Sequence, residues 1–489
     1  MSQFPMERIV RQNDAPVNSD GEFVLYWMTA FRRAHWNFSL DRAMGWAREL
    51  RKPLVVLEGL QCDYPWASER IHSFILDGMR DNQSSFKDTD ALYVPFVERF
   101  KNEGKGLLEA LASRACIVIT DDYPVFPIPR MVRAAAHGLP ARIEAVDSNG
   151  LLPVGITDRV FLTAHSFRRF LQLQLPRLLD QLPEPNPLAR GSIPGLDRLP
   201  VEITRKWPIA SPEIINLAPG ALKGLPIDHS VKPVKTRGGS VAAGARLREF
   251  LEDKLERYHS ERNHPDEDAS SGLSPYLHFG HISAHEIFHA LCQVEQWPAE
   301  RLFPRASGQR EGWWGMSEGG EAFLDQLITW RELGFNMCSK RDDYDRFESL
   351  PNWAREELAA HEKDDHQYLY SLEELESART HDPLWNAAQR QLLLEGCMHN
   401  YPRMLWGKKI LEWTSSPRQA LEIMIEFNNR YALDGRDPNS YTGIFWVLGR
   451  YDRPFGPARP VFGKIRYMSS SSVGKRIKLK EYLKRFGGD

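Results

Sequence analysis

The sequence is poor in cysteine. Five cysteines occur in 489 residues, and no two of them form a Cys-x-x-Cys pair. This odd, scattered set excludes a disulfide framework and a cysteine-rich zinc site, and it fits a reducing compartment. The chain also lacks any apolar run approaching the ~20 residues of a membrane span, and its polar N-terminus has no signal-peptide core. We therefore expect a cytoplasmic protein without a membrane segment.

The chain also has no large excess of positive or negative charge. The chain has 63 Lys and Arg against 65 Asp and Glu, a net charge of −2. This excludes a surface that coats nucleic acid uniformly but is compatible with a local basic patch. Residues 461–489 form such a patch, with eight Lys or Arg against two acids. Segments of this kind are ordinarily solvated helix faces, although they also suit DNA phosphates.

Tryptophan, in contrast, is abundant. The chain has 14, and eight of them lie between Trp313 and Trp446. This bias would suit an electron-transfer or base-stacking site, and a large aromatic core explains it almost as well.

Apolar segments alternate with amphipathic ones through residues 1–180. The pattern predicts strands at 22–28, 53–57, 92–96, 115–120 and 141–146, and helices at 37–50, 71–79 and 106–113. It indicates an α/β domain with a doubly wound (Rossmann-like) parallel sheet that carries helices on both faces. No Gly-x-Gly-x-x-Gly follows the first strand, so the usual dinucleotide fingerprint is missing.

Prolines recur and periodicity fades between residues 181 and 236. We interpret this segment as a long linker with short helices within it. Helical periodicity dominates residues 237–489, which predicts an all-α C-terminal domain.

Residues 380–446 contain two patterns that predict the start of a helix. Asp382 can cap a helix whose first residue is Pro383, with Gly396 as its stop. A second helix is expected to begin in the same way, with Asn400 or Tyr401 before Pro402.

Three tryptophans lie on these two helices. Trp406 and Trp413 are seven residues apart on the second helix, so they share a face at roughly 10 Å separation. Trp385 lies on the first helix, which a short turn could fold back. Buried tryptophans at such spacings can pass electrons by hopping, while core packing is the alternative interpretation.

Small hydroxyl residues and glycines cluster between Asp268 and Ser283. Such a segment leaves backbone N–H groups free to bind phosphate oxygens, and a nearby helix start adds its positive end. An ordinary serine-rich loop is the alternative.

His285, Glu286 and His289 match His-Glu-x-x-His, the zinc-protease motif. The spacing places both imidazoles on one helical face, where they could hold zinc while the carboxylate activates water. No recognisable third ligand follows, so a zinc metallopeptidase is only a distant alternative, and we expect no metal.

These motifs resemble the photolyase/cryptochrome family, in particular the class II cyclobutane pyrimidine dimer (CPD) DNA photolyases. The resemblance rests on the run Leu273-Ser-Pro-Tyr-Leu-His-Phe-Gly280 and on the tryptophan-rich segment 380–446. It extends from about Phe23 onward and is dense from Gly238 to Tyr467. It implies an antenna-type α/β domain at 1–180, a linker at 181–236, and an all-helical FAD-binding and DNA-binding catalytic domain at 237–489.

The resemblance also implies roles for individual residues. Those expected to contact FAD are Tyr258, Ser270, Ser271, Gly272, Leu273, Ser274, Arg403, Asn428, Asp434, Asp437 and Asn439. The residues expected to act in photochemistry are Trp385, Trp406 and Trp413, as a photoreduction chain, and Asn428, beside flavin N5. The expected lesion pocket comprises Gln326, Trp330, Met404 and Trp446. The N-terminal domain would house an antenna chromophore whose identity the residues do not reveal.

The function implied by the resemblance is light-driven repair of pyrimidine dimers in DNA, catalysed by a carbon–carbon lyase with FAD. UV-damaged DNA is the expected partner, and we expect a monomer without an obligate protein partner. One departure favours an alternative, because Gln326 stands where the family has a glutamate. The alternative is a cryptochrome-like blue-light photoreceptor without repair activity.

We predict that Gln326→Glu raises the quantum yield of CPD repair. An amide can hydrogen-bond a thymine carbonyl, but it cannot share a proton with the lesion or stabilise charge as a carboxyl group does. The yield is measured from dimer loss per absorbed photon in both proteins. An unchanged or lower yield would mean that another group, such as Asp325, already performs this role.

Overall fold

The structure is a computed structural model that describes residues 4–189 and 191–488. Its contacts divide the chain into two compact units. The first comprises Met1–Asp158, Leu175–Arg248 and Leu273–Val294, and the second comprises Arg159–Gln174, Glu249–Gly272 and Glu295–Asp489. The domain limits expected from the sequence stay a prediction.

The first unit is built on a six-stranded sheet in the order β1-β6-β5-β2-β3-β4. Its strands are β1 (Ile9–Arg11), β2 (Phe23–Met28), β3 (Leu54–Leu60), β4 (Leu92–Val97), β5 (Ala115–Asp121) and β6 (Ile143–Val146). All neighbours pair in parallel except β1, which runs antiparallel to β6 at the edge. The expected α/β fold is confirmed. The three-residue β1 was not expected, because a run as short as Ile-Val-Arg is too brief to predict a strand.

The rest of the regular secondary structure consists of helices. In chain order they are α1 (Phe38–Leu50), α2 (Glu69–Phe86), α3 (Leu107–Ala112), α4 (Ile128–Gly138), α5 (Ala164–Gln174), α6 (Val201–Lys206), α7 (Pro212–Ile215), α8 (Ser240–Glu249), α9 (Leu255–Glu261), α10 (Ser274–His278), α11 (Ala284–Val294), α12 (Glu318–Leu324), α13 (Arg331–Lys340), α14 (Asn352–Ala360), α15 (Leu372–Glu376), α16 (Pro383–Glu395), α17 (Asn400–Glu412), α18 (Pro417–Tyr431), α19 (Pro438–Val447), α20 (Ser470–Arg476) and α21 (Lys480–Phe486). None of them, within the described ranges, is long and apolar enough to cross a membrane.

The sheet is covered on both faces, and its central strand β2 is apolar throughout. Every residue of β2 is buried. Phe23, Leu25 and Trp27 enter one hydrophobic cluster, whereas Val24 and Tyr26 enter another. This alternation follows from the two-residue period of a strand. The doubly wound arrangement expected from the sequence is therefore confirmed.

A buried carboxylate holds the loop after β2. Asp121, at the end of β5, accepts hydrogen bonds from the backbone N–H groups of Thr29, Ala30 and Phe31 at 2.7 to 2.9 Å and from the Tyr26 hydroxyl at 2.8 Å. These donors compensate the buried charge.

The helix starts in the tryptophan-rich segment are partly as expected. Asp382 accepts hydrogen bonds from the N–H groups of Leu384 and Trp385, Pro383 is the first residue of α16, and Gly396 ends that helix with a φ of 66°. The expectation for the next helix was wrong: α17 begins at Asn400, and His399 caps it by accepting from Tyr401 N–H. Pro402 is therefore the third helical residue, where its missing N–H still costs no intrahelical bond.

His281 is a fully buried histidine of the first unit. Its Nδ1 accepts a hydrogen bond from Gly239 N–H at 2.9 Å, and its ring stacks on Phe74 at 5.2 Å. Burial, followed by the nearby charge of Arg32, lowers its pKa to about 3. The imidazole therefore stays neutral in the folded protein, whereas in the unfolded chain it takes up a proton below pH ~6.5.

We predict that His281 makes the fold sensitive to acid. Its contribution to stability is complete above pH ~6.5 and is lost as the pH falls toward 3, by about 2 kcal/mol at pH ~5. His281→Gln keeps an acceptor for Gly239 but does not titrate. The difference in unfolding free energy between wild type and variant should therefore shrink on acidification, as measured by urea denaturation. His137→Gln, at an exposed position on α4, is the control. Parallel pH profiles for wild type and His281→Gln would contradict the prediction.

Candidate functional site

Three buried tryptophans form the centre of the candidate site in the second unit. Trp385, Trp406 and Trp413 are exposed by only 0%, 3% and 1%. The rings of Trp385 and Trp413 lie 5.6 Å apart at an angle of 67°. The indole N–H of Trp385 donates to the carbonyl of Trp406 at 3.0 Å. The structure therefore brings all three together, as the sequence analysis expected.

Gln389 is a site residue that sequence reasoning missed. It is fully buried on α16, and its Oε1 accepts from the Trp406 indole N–H at 2.8 Å. Its amide N–H donates to the carbonyl of Glu376 at 3.2 Å. Its position four residues after Trp385 places both on one helical face, which is the only signal that the sequence carried.

Further aromatic rings connect Trp413 to the surface, and these were also missed. Tyr370 and His381 lie 5.3 Å and 5.2 Å from Trp413 between ring centroids. The Tyr370 hydroxyl and His381 Nδ1 are hydrogen-bonded at 2.6 Å. Tyr368, which is 39% exposed, stacks on His381 at 3.9 Å. The buried indoles are thus joined to solvent through ring contacts.

An ion pair lies one turn before Trp406 on α17. Arg403 Nη2 is 3.3 Å from a carboxylate oxygen of Asp434, and it also donates to the carbonyl of Met398 at 3.2 Å. Both side chains keep some solvent access, at 24% and 12% exposure. A partly open guanidinium–carboxylate pair offers donors and acceptors to a polar ligand.

Asn428 and Asp437 are held by their own neighbours. The Asn428 amide donates to the Ser440 hydroxyl, and Asp437 caps α19 by accepting from Asn439 N–H at 2.8 Å. Asn428 and Asp437 are buried, whereas Asn439 is exposed at the start of the helix. Of these three residues, each expected to bind the ligand, only Asn439 is therefore exposed to solvent.

The turn that carries Asp434 is tightly folded. A side chain at Gly435 would lie 2.4 Å from the Asn428 carbonyl, so only glycine fits there. Arg436 follows with a φ of 64°, and its backbone N–H donates to the Asn429 side chain at 2.9 Å. Arg436 is a further residue that the sequence analysis did not single out.

Tyr258 is buried on α9, where Arg262 lies over its ring at 5.3 Å. Burial raises the pKa of the Tyr258 hydroxyl, so it remains a neutral donor. Ser270 and Ser271 follow in a half-buried loop that ends at Gly272, whose φ is 65°.

His399 links this loop to α17. Its pKa is lowered to about 4, first by burial and then by the charge of Arg403, while Asp268 and a hydrogen bond to the Arg262 backbone act in the opposite direction. The segments that carry Tyr258, Ser270 and Arg403 thus meet around one neutral imidazole.

Leu273 and Ser274 fall in the first unit. Leu273 is buried and precedes α10, which begins at Ser274, itself exposed. In this unit α10 is followed by Gly280, where a side chain would lie 2.0 Å from the Ala30 carbonyl. The roles expected for both residues stay predictions.

The residues of the expected lesion pocket lie on α17, α19 and a π-helical segment, Asp325–Trp330. Trp330 and Trp446 stack on each other at 4.8 Å and 17°. Gln326 and Met404 are half-buried. Segments of π-helix are often found at functional sites.

Asp325, beside Gln326, is already engaged. It is buried, and one of its carboxylate oxygens accepts from Arg168 Nε at 2.9 Å and lies 2.8 Å from Arg168 Nη2. This pairing argues against Asp325 as a substitute for the carboxyl group missing at 326.

The zinc-protease motif has a structural explanation in the first unit. His285 is fully buried with its ring 5.2 Å from Phe38, and the ring of His289 lies 4.9 Å from Trp36. The residues that the structure describes include no group of three or more His, Cys, Asp or Glu side chains able to hold a metal ion. This geometry does not support the peptidase alternative.

Comparison with known proteins gives a consistent result. The chain is 36% identical to a deoxyribodipyrimidine photo-lyase from Methanothermobacter thermautotrophicus, over 99% of this chain and 98% of the relative. It is 31% identical to a protein of the same name from Potorous tridactylus, over 98% and 84% of the two chains. No family model matches the sequence.

A solved structure shares the fold. A bacterial class III photolyase from Agrobacterium tumefaciens matches with a TM-score of 0.67 at 18% identity, covering 95% of this chain and 86% of the other.

We predict that Gln389→Leu destabilises the protein by about 2 kcal/mol, because it leaves a buried indole N–H without a partner and removes a donor from the half-buried Glu376 carbonyl. Adding Trp406→Phe removes the unpaired N–H and should recover about 1 kcal/mol relative to the sum of the single changes. Urea denaturation of the two single variants and the double variant measures both effects. Strictly additive losses would show that the hydrogen bond between Gln389 and Trp406 is energetically unimportant.

Proposed function

This chain belongs to the family of deoxyribodipyrimidine photo-lyases, and we propose on that premise that it is a light-dependent DNA repair enzyme that splits pyrimidine dimers. The observation that carries the proposal is a full-length similarity to these lyases, combined with three buried indoles, one of which lies one turn after Arg403 on α17. The class II assignment and the preference for cyclobutane dimers stay predictions.

We propose FAD as the cofactor, because the donor set of the second unit fits it. The partly open pair of Arg403 and Asp434 and the amide of Asn428 suit the polar edge of an isoalloxazine ring. The loop of Ser270 and Ser271 offers hydroxyl and backbone donors to phosphates. When bound, reduced FAD supplies a light-absorbing one-electron donor.

The three tryptophans would conduct electrons toward the Arg403–Asp434 pair. The ring separation of 5.6 Å between Trp385 and Trp413 is a direct contact. The Trp406 carbonyl and Gln389 accept the indole N–H groups of Trp385 and Trp406, which fixes the orientation of these two rings. Their burial also keeps water away from the rings.

The substrate-binding residues would accept a dimer that is flipped out of the duplex. Flipping costs a few kcal/mol, and less at a distorted lesion, which contributes to selectivity. Trp330 and Trp446 form one stacked aromatic surface for the pyrimidine rings. The half-buried Gln326 can donate its amide N–H to a thymine carbonyl.

For an antenna chromophore, we propose the carboxyl edge of the sheet in the first unit. Tyr64 and Trp66 follow β3, and Phe126 follows β5. Phe126 lies 6.2 Å from Tyr64 and 5.9 Å from Trp66 between ring centroids. In doubly wound sheets, ligands bind outside the carboxyl ends of the strands. A cytoplasmic location and a monomeric state also stay predictions.

The decisive test is dimer loss. Purified protein, with its flavin chemically reduced, is mixed with a dimer-bearing oligonucleotide and either illuminated with blue light or kept dark. We expect dimers to disappear only in the illuminated sample. No dimer loss, together with photoreduction of the flavin in a separate sample of oxidised protein, would instead indicate a photoreceptor. A colourless protein that binds no added FAD would contradict the assignment.

Trp406→Phe is the matched variant for this assay. Interrupting the indole chain should abolish photoreduction of oxidised FAD, while FAD binding and repair by chemically reduced enzyme persist. Normal photoreduction in the variant would contradict the proposed electron path.

A further inference from the structure

A compact loop lies close in sequence to the π-helical segment that carries Gln326. It spans residues 303–313 and is closed at its base by a hydrogen bond from Phe303 N–H to the Trp313 carbonyl at 2.8 Å. Trp313 is buried and contacts Trp314 at 4.8 Å, so the base of the loop is anchored in the core of the second unit. Compact loops whose ends meet in this way are frequently functional.

The middle of the loop is bound to α5. Gln172 accepts a hydrogen bond from Gly308 N–H at 2.7 Å and donates to the Gln309 carbonyl at 2.9 Å. Gly308 has a φ of 78°, and a side chain there would lie 2.9 Å from the His165 carbonyl. These contacts fix the conformation of the loop, which carries Arg305 and Arg310.

Asp325 joins this loop to the lesion segment. One of its oxygens accepts from Arg168, whereas the other lies 3.5 Å from Arg310 Nε. The contact with Arg310 is an ion pair without hydrogen-bond geometry, since that oxygen accepts no hydrogen bond from any described residue. Arg310 is thus attracted to the carboxylate but not locked to it.

Arg310 presents its remaining donors to solvent. Its side chain is 57% exposed, and its two terminal nitrogens donate no hydrogen bond within the described part of the chain. A guanidinium with free parallel N–H groups matches the geometry of a phosphate. One buried carboxylate shared by two guanidinium groups leaves a net charge of +1 at this position.

We propose that Arg310 binds a backbone phosphate of the damaged DNA strand beside the lesion pocket, and that Asp325 positions it for this contact. The inference rests on the proposed function and adds to it a substrate-binding residue outside the expected lesion pocket. The ion pair brings the guanidinium within 3.5 Å of the residue that precedes Gln326 in the chain. A plain surface ion pair, which contributes ~0 to 1 kcal/mol to stability, is the competing explanation.

The test compares Arg310→Gln with Arg379→Gln. Arg379 is a matched control because it is 59% exposed, lies in the same unit and pairs with Glu373 at 2.9 Å. Binding of a fluorescent dimer-bearing duplex is measured in the dark by anisotropy over a range of salt concentrations, with each protein carrying its flavin. Melting temperature and flavin absorbance verify that the variants are folded.

We expect Arg310→Gln to reduce the slope of log affinity against log salt by about 0.9, the value for one lost phosphate contact. Between about 50 and about 200 mM salt its affinity should therefore fall roughly three-fold less than that of wild type. Arg310→Lys should keep the slope, since the charge remains, but bind more weakly because the fork is lost. Arg379→Gln should behave as wild type.

The outcomes separate this inference from the proposed function. If wild type binds and repairs the duplex but Arg310→Gln retains the wild-type slope, the role of Arg310 is overturned and the repair function stands. If wild type neither binds nor repairs the duplex, both are overturned. A reduced slope with Arg310→Gln, absent with Arg379→Gln, supports the phosphate contact.

Discussion

The candidate site depends on one constraint: burying an indole N–H costs free energy unless it is hydrogen-bonded. Trp385 meets this condition through the carbonyl of Trp406, and Trp406 meets it through Gln389. Each bond crosses between α16 and α17, so the bonds that make burial tolerable also set the register of the two helices. Because α17 also carries Arg403, the same register places the ion pair with Asp434 next to the indole chain. The proposed electron path and the proposed ligand-binding groups are therefore positioned by the same few contacts.

Buried carboxylates organise each unit in a comparable way. In the first unit, Asp121 gathers three backbone N–H groups and thereby shapes the loop that follows β2. In the second unit, Asp325 is compensated mainly by Arg168 and more loosely by Arg310. A buried charge is expensive unless it is paired, so each carboxylate selects the neighbours that surround it. The difference between the two is that Asp325 has a partner that reaches solvent, and this allows it to orient a residue for binding.

Much of the fold could be predicted because its signals are local. The five longer strands of the first unit are mainly apolar runs, and the cap at Asp382, with Pro383 and Gly396, follows from backbone geometry alone. The misses have physical reasons too. β1 is a three-residue edge strand, which needs little apolar surface, and α17 starts before Pro402 because proline is tolerated anywhere in the first helical turn. Resemblance to photolyases indicated which residues to examine, but the geometry that joins them came from the structure.

The sequence by itself determined the class of the fold, since this depends on patterns between near neighbours in the chain. The family, and the roles predicted for the three tryptophans, followed from the resemblance to photolyases. Only the tertiary structure decided which side chains complete the site. The structure identified Gln389 as the partner of Trp406 and Asp325 as the partner of Arg168 and Arg310. It also identified His399 as the link between α17 and the loop that carries Ser270. The physical reason is that hydrogen bonds and ion pairs join residues that are far apart in the chain, so their partners follow from packing and from no local pattern.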